Sequence, residues 1–124
     1  MKSTHKEELY IKQDPLTDLI FDDHSIFFDI ETTGFSPASS TLYMIGCARK
    51  NGKYICIDQF FAEKPEEECL VLNAFLEILN QYDTIISFNG VGFDVPFLKA
   101  KCDRYDIPEH FKEFNYLDIF KSVS

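Results

Sequence analysis

The sequence has no tryptophan, only three histidines, and no pair of cysteines at CxxC spacing in its 124 residues. Its four cysteines, Cys47, Cys56, Cys69 and Cys102, fall among apolar neighbours in segments that pattern as two strands and two helices. With histidine so scarce, this spacing argues against a zinc site and for reduced core thiols. Basic residues are outnumbered, 12 Lys and Arg against 21 Asp and Glu, for a net charge of −9. That balance argues against a protein that coats nucleic acid through a basic face. It leaves open a site that approaches phosphates through bound divalent cations, because such ions invert the field around a carboxylate cluster. No apolar run is long enough to span a bilayer, and no apolar h-region follows the charged start Met1–Lys6. The expected location is therefore cytoplasmic. Internal repeats and low-complexity tracts are lacking too.

What is present is a packed chain: 45% hydrophobic, 15% aromatic, with 13 Phe, enough for one core and one domain. Residues 1–24 are polar and acidic with scattered apolar positions, and read as an N-terminal extension lying loosely on the domain. From Ser25 onward the patterns sharpen. Ser25–Ile30, Leu42–Arg49 and Lys53–Phe61 are strand-like, and the Asn51-Gly52 dipeptide between the last two is a hairpin signal. Pro65 and three glutamates open a helix whose buried stripe is Leu72, Phe75, Leu76 and Leu79. Asp83–Phe88 is a further strand, Asp94 to about Arg104 a second helix, and Phe114–Phe120 a last strand. The order β-β-β-α-β-α-β predicts an α/β fold with three antiparallel strands extended by parallel ones. If the fourth strand lies beside the first, the strand ends at Glu31 and Asn89 emerge together, where α/β sheets bind ligands.

The acids stand at that edge. Asp29 and Glu31 are two residues apart at the end of an apolar strand, so both side chains leave the same face. Phe27 shares that face, and Ile26, Phe28 and Ile30 take the other. Paired carboxylates in such a segment suit Mg²⁺ or Mn²⁺, which take oxygen ligands; the alternative is an acidic strand end facing solvent. Asn89-Gly-Val-Gly-Phe-Asp94-Val-Pro96 brings a tight turn and then Asp94 at a helix start. There it could serve either as an N-cap or as a third ligand.

Phe28-Asp29-Ile30-Glu31-Thr32-Thr33-Gly34 and Asn89-Gly90-Val91-Gly92-Phe93-Asp94-Val95-Pro96-Phe97-Leu98 resemble the first two motifs of DEDD-type 3′–5′ exonucleases of the RNase H-like superfamily. More narrowly, the chain resembles bacterial YprB-like RNase H-fold proteins, and it is similar in both motifs to the proofreading domain of family B DNA polymerases. The resemblance runs from about Ser25 to Lys121. It implies two-metal hydrolysis of phosphodiesters in a single-stranded DNA or RNA end, with Mg²⁺ or Mn²⁺ as cofactor. Asp29, Glu31 and Asp94 would be the catalytic metal ligands, Asp29 bridging both ions. Thr32 and Thr33 would lie beside the terminal nucleotide and Asn89 near the scissile phosphate. Phe93 would serve as core or as support for a base.

The sequence departs from that family in one respect. Its third motif, Tyr- or His-x-x-x-Asp on a later helix, supplies the last metal ligand and a residue that positions water. The nearest candidates, His110, Tyr116 and Asp118, do not have that spacing. The domain over residues 25–124 is therefore expected to be truncated at its C-terminal end, with an incomplete metal set that leaves open whether the chain is active as it stands. The rival expectation is a non-catalytic RNase H-like module that binds nucleic acid or a protein partner.

Overall fold

Alternation of buried and exposed positions builds the sheet from its centre. In β2 (Ser25–Thr32), Ile26, Phe28 and Ile30 are buried while Asp29 and Glu31 are exposed, as a strand with one packed face requires. β3 (Leu42–Asn51) and β4 (Tyr54–Phe61) complete an antiparallel meander with it. These elements come from a computed structural model that describes residues 1–9, 22–87 and 92–118. The hairpin differs by one residue from the expected turn. Asn51 pairs with Tyr54, so the two-residue loop is Gly52-Lys53, and Gly52 takes φ 63°. Glycine at the first central position is the pattern of a type II′ turn, which only glycine enters without strain.

The crossover through α1 (Glu68–Leu79) brings β5 (Thr84–Ser87) parallel to β2, Ser25 opposite Thr84 and Phe27 opposite Ile86. β6 (Asn115–Asp118) adds parallel to β5, after α2 (Asp94–Arg104). The sheet order is β1-β4-β3-β2-β5-β6. One core unites the helix stripes with one sheet face: Val71, Leu72, Phe75, Leu76 and Leu79 of α1 and Phe97, Leu98 and Cys102 of α2 cluster with Ile26, Phe28, Ile30, Ile45 and Ile85. Phe75 sets its ring 5.0 Å from that of Phe28. Cys47, Cys56 and Cys102 are buried free thiols and Cys69 is half-buried. Among the described residues, no helix is long and apolar enough to cross a membrane.

The sheet has one strand more than the sequence patterns give. Residues 2–9 of the supposed extension form β1 (Lys2–Leu9), antiparallel to β4 along its full length. Every residue of β1 is exposed, so no apolar alternation marks it. Its hold on the sheet is the backbone ladder with a few side-chain pairs, and its charges suit an edge strand. The remainder of that segment, residues 10–21, lies outside the described residues.

Candidate metal centre

The described residues of β5 pair with Ser25, Ile26 and Phe27 of β2. Beyond this register Asp29 and Glu31 project from β2 on the face opposite Ile26, Phe28 and Ile30. Opposite Asp29 stands Gly46, which places no side chain beside the carboxylate. α2 starts beside this end of β2. Its N-cap is Phe93, not Asp94, and Phe93 makes no side-chain cap. The Asp94 carboxylate instead accepts a hydrogen bond from the backbone N–H of Ile30, between the two acids of β2. The capping role open to Asp94 in the sequence is thus not the one it takes.

Electrostatics mark the same three groups. Burial pushes the Asp94 carboxyl up to about 6, and the nearby charges of Asp29 and Glu31 push in the same direction against the Ile30 hydrogen bond. An all-oxygen, acid-only set with mutual repulsion is the chemistry that a hard divalent cation such as Mg²⁺ or Mn²⁺ relieves. The side chains do not converge tightly. Among the described residues, the one group of three His, Cys, Asp or Glu whose ligand atoms all lie within 4.8 Å of one another is elsewhere. The ligand atoms of the three acids stand further apart than that.

The loop after β2 is closed by its own polar groups. The Thr32 hydroxyl donates to the Gly34 carbonyl at 2.8 Å, and the Thr33 hydroxyl accepts from the Thr41 N–H at 2.8 Å. A Cβ on Gly34 would meet Ser40 Oγ at 2.6 Å, so a larger residue there would turn the Ser40 hydroxyl aside. Phe93 is half-buried against the core, and its ring lies 5.5 Å from Phe97 and 6.1 Å, edge-on, from Phe35. Asn89 lies outside the described residues.

Two neighbours of the site escape a reading by sequence pattern. Tyr43 is the extra residue of a β-bulge, since Thr32 pairs with Leu42 but Glu31 with Met44. The bulge turns Tyr43 toward the acids, and its hydroxyl donates to Glu31 Oε2 at 3.5 Å. Phe35 is 89% exposed, a large apolar ring offered to solvent beside the site. Nothing in their local sequence distinguishes either from an ordinary strand or loop aromatic.

Of the third-motif candidates, His110 is exposed and paired with Glu113 at 3.6 Å. The Tyr116 hydroxyl donates to the Phe111 carbonyl and so holds the short 3₁₀ turn Phe111–Glu113. Asp118 lies in β6, opposite Ser87.

Known proteins share this arrangement of elements. The chain is 30% identical over 96 residues to the uncharacterized protein YprB of Bacillus subtilis, covering 75% of this chain and 23% of that protein. It is 32% identical over 91 residues to a DNA polymerase of Methanocaldococcus jannaschii, covering 67% of this chain and 6% of the polymerase. The chain thus spans about a quarter or less of the relatives it matches. Among solved structures, the fold superposes on the family B DNA polymerase of Pyrobaculum calidifontis with a TM-score of 0.67, at 19% identity, over 80% of this chain and 16% of that one. It also superposes on a zinc-bound complex of E. coli ExoI with single-stranded DNA, with a TM-score of 0.60, at 16% identity, over 80% and 28% of the two chains. A six-stranded mixed sheet whose helices pack as described, and a match of residues 26–124 to the family profile, agree on one assignment: the chain belongs to the RNase H superfamily.

Proposed function

We propose that this chain carries the metal-binding acids of a nuclease that hydrolyses phosphodiesters at a single-stranded DNA or RNA end, in the 3′–5′ sense. The observation that carries the reading is the meeting of Asp29 and Glu31, near the end of β2, with Asp94, held to the Ile30 N–H between them. Asp29, Glu31 and Asp94 would hold Mg²⁺ or Mn²⁺, and such ions supply charge stabilisation to the attacking and leaving oxygens of a phosphodiester. The likeness to exonuclease and polymerase structures supports the same chemistry.

The chain's own residues then bind and orient the substrate. Phe35, edge-on to the half-buried Phe93, offers a face on which a terminal base can stack. Thr32 and Thr33 hold the loop that carries it, and Tyr43 steadies Glu31. Phe35→Ala should weaken binding of a short single-stranded DNA by ~1–3 kcal/mol, read by fluorescence anisotropy, with no loss of thermal stability. Unchanged affinity would remove Phe35 from the substrate path.

End-labelled single-stranded DNA and RNA, incubated with the protein and Mn²⁺ or Mg²⁺, should shorten from the 3′ end, and chelator should stop the reaction. Cleavage that persists in chelator, or in the Asp29→Ala/Asp94→Ala double variant, would refute the reading. A second reading is a non-catalytic module that binds nucleic acid or a protein, and the net charge of −9 favours a protein partner over DNA. Mn²⁺ and single-stranded DNA bound without cleavage would decide for it.

A further inference from the structure

The edge of the sheet furthest from the three acids carries a different donor set. His5 and Glu7 lie two residues apart on β1, on one face, and the Cα partner of Glu7 on β4 is Cys56. Glu7 Oε1 lies 3.0 Å from His5 Nε2 and 3.8 Å from Cys56 Sγ. All three ligand atoms fall within 4.8 Å of one another. The His5 and Glu7 side chains are about half exposed, while Cys56 is 1% exposed beneath them. A soft donor thus forms the floor and two harder donors the rim of a site open to solvent.

We propose that His5 Nε2, Glu7 Oε1 and Cys56 Sγ form a Zn²⁺ site that pins β1 to β4, with the fourth position open to water. Tetrahedral Zn²⁺ with bonds of about 2.0–2.3 Å needs donor atoms about 3.3–3.6 Å apart, so the existing separations require only small rotamer changes. Thiolate, imidazole and carboxylate together select Zn²⁺ over Mg²⁺ or Mn²⁺, so this site and the acid cluster differ in chemistry as well as place.

The ring is already oriented for the task. His5 Nδ1 lies 2.5 Å from Asp58 Oδ1, and Asp58, 6% exposed, also accepts from Arg49 Nε at 3.4 Å. A buried carboxylate on Nδ1 fixes the imidazole so that Nε2 faces the metal, the usual outer partner of a metal-bound histidine. Cys56 is uncharged without metal, because burial and the nearby carboxylates hold its thiol pKa up. Binding therefore displaces the thiol proton of Cys56 and, where His5 is protonated, the Nε2 proton, and both pass to solvent. The sequence concealed the site because its ligands come from two strands some fifty residues apart and match no metal-binding spacing.

The test uses the tag-free full chain. Zn²⁺ titrated by calorimetry in two buffers of different ionisation enthalpy should bind at one equivalent and release at least one proton. Co²⁺ in its place should give a thiolate-to-metal absorption band. Zn²⁺ should also slow amide hydrogen exchange across Lys2–Leu9. His5→Ala, which removes an exposed side chain, and Cys56→Ser should each weaken Zn²⁺ by ~100-fold or more, and Asp58→Asn by about 10- to 100-fold. Asp29→Asn/Asp94→Asn should leave the affinity unchanged. The proposal is overturned by a Co²⁺ spectrum without the thiolate band, by equal Zn²⁺ affinity in parent and His5→Ala, or by loss of the binding in the Asp29→Asn/Asp94→Asn variant instead.

Discussion

In chelator and above pH 6, Asp94→Asn is expected to melt at a higher temperature than the parent, while its Mn²⁺-dependent cleavage falls by about 10³-fold or more. Both effects come from one charge. Asparagine retains a carbonyl oxygen that can accept from the Ile30 N–H, so the link from α2 to β2 survives. What disappears is the carboxylate that burial and the charges of Asp29 and Glu31 disfavour. The unfolded carboxyl titrates near 3.8 and the folded one at about 6. Between those values the folded chain binds more protons, so metal-free stability should fall as pH rises from 3.8 through about 6 and then level off. That contribution is present at low pH and absent at neutral pH, the opposite of a salt-bridged carboxylate. The variant should lack this segment of the pH–stability curve. Mn²⁺ should reverse the ranking, stabilising the parent more than the variant. An identical pH slope in the two proteins, or retained cleavage, would detach Asp94 from the acid cluster.

That cluster was legible in the sequence because period-2 alternation in β2 fixes which side chains share a face, whatever the rest of the chain does. Phe28 and Ile30 had to be buried if Asp29 and Glu31 were not. The stripe of Leu72, Phe75, Leu76 and Leu79 likewise required a helix. Asp94 was placed by a glycine-rich turn and a proline compatible with a first turn, but its choice of Ile30 over a capping role is a tertiary contact between α2 and β2 that no local pattern encodes. β1 was invisible because a strand held mainly by its backbone ladder, with Lys, His and Glu along it, has the composition of a solvated tail. The Tyr43 bulge was invisible because a one-residue register shift leaves no mark on composition. It decides which aromatic reaches Glu31 all the same.

The residues furthest from legible are Glu68 and Lys101, which any pattern places on the surface and the structure buries at 2% and 1% exposure. Lys101→Met should lower stability by about 3–5 kcal/mol, and the melting temperature by on the order of 10–20 °C. Lys101 Nζ lies 3.0 Å from Glu68 Oε2 and donates to the Ser40 carbonyl at 2.6 Å. Glu68 also accepts from the Leu42 N–H at 2.6 Å and from the Tyr105 hydroxyl. One buried pair thus ties α1, α2, the start of β3 and the loop after β2 together. Methionine fills the aliphatic space but leaves the Glu68 carboxylate buried without its cation, and this uncompensated charge carries most of the cost. Glu68→Gln in addition should recover most of the loss, since the amide oxygen still accepts from Leu42 or Tyr105 and no charge remains. The functional consequence lies in the loop, because Ser40 precedes Thr41, which closes on Thr33. Freed from Lys101, the Thr33 and Thr41 amides should exchange faster in both the single and the double variant. Single-stranded DNA binding through Phe35 should then fall even where global stability has been restored. If Lys101→Met melts within about 1 kcal/mol of the parent, the pair behaves as a surface salt bridge and does not organise the loop.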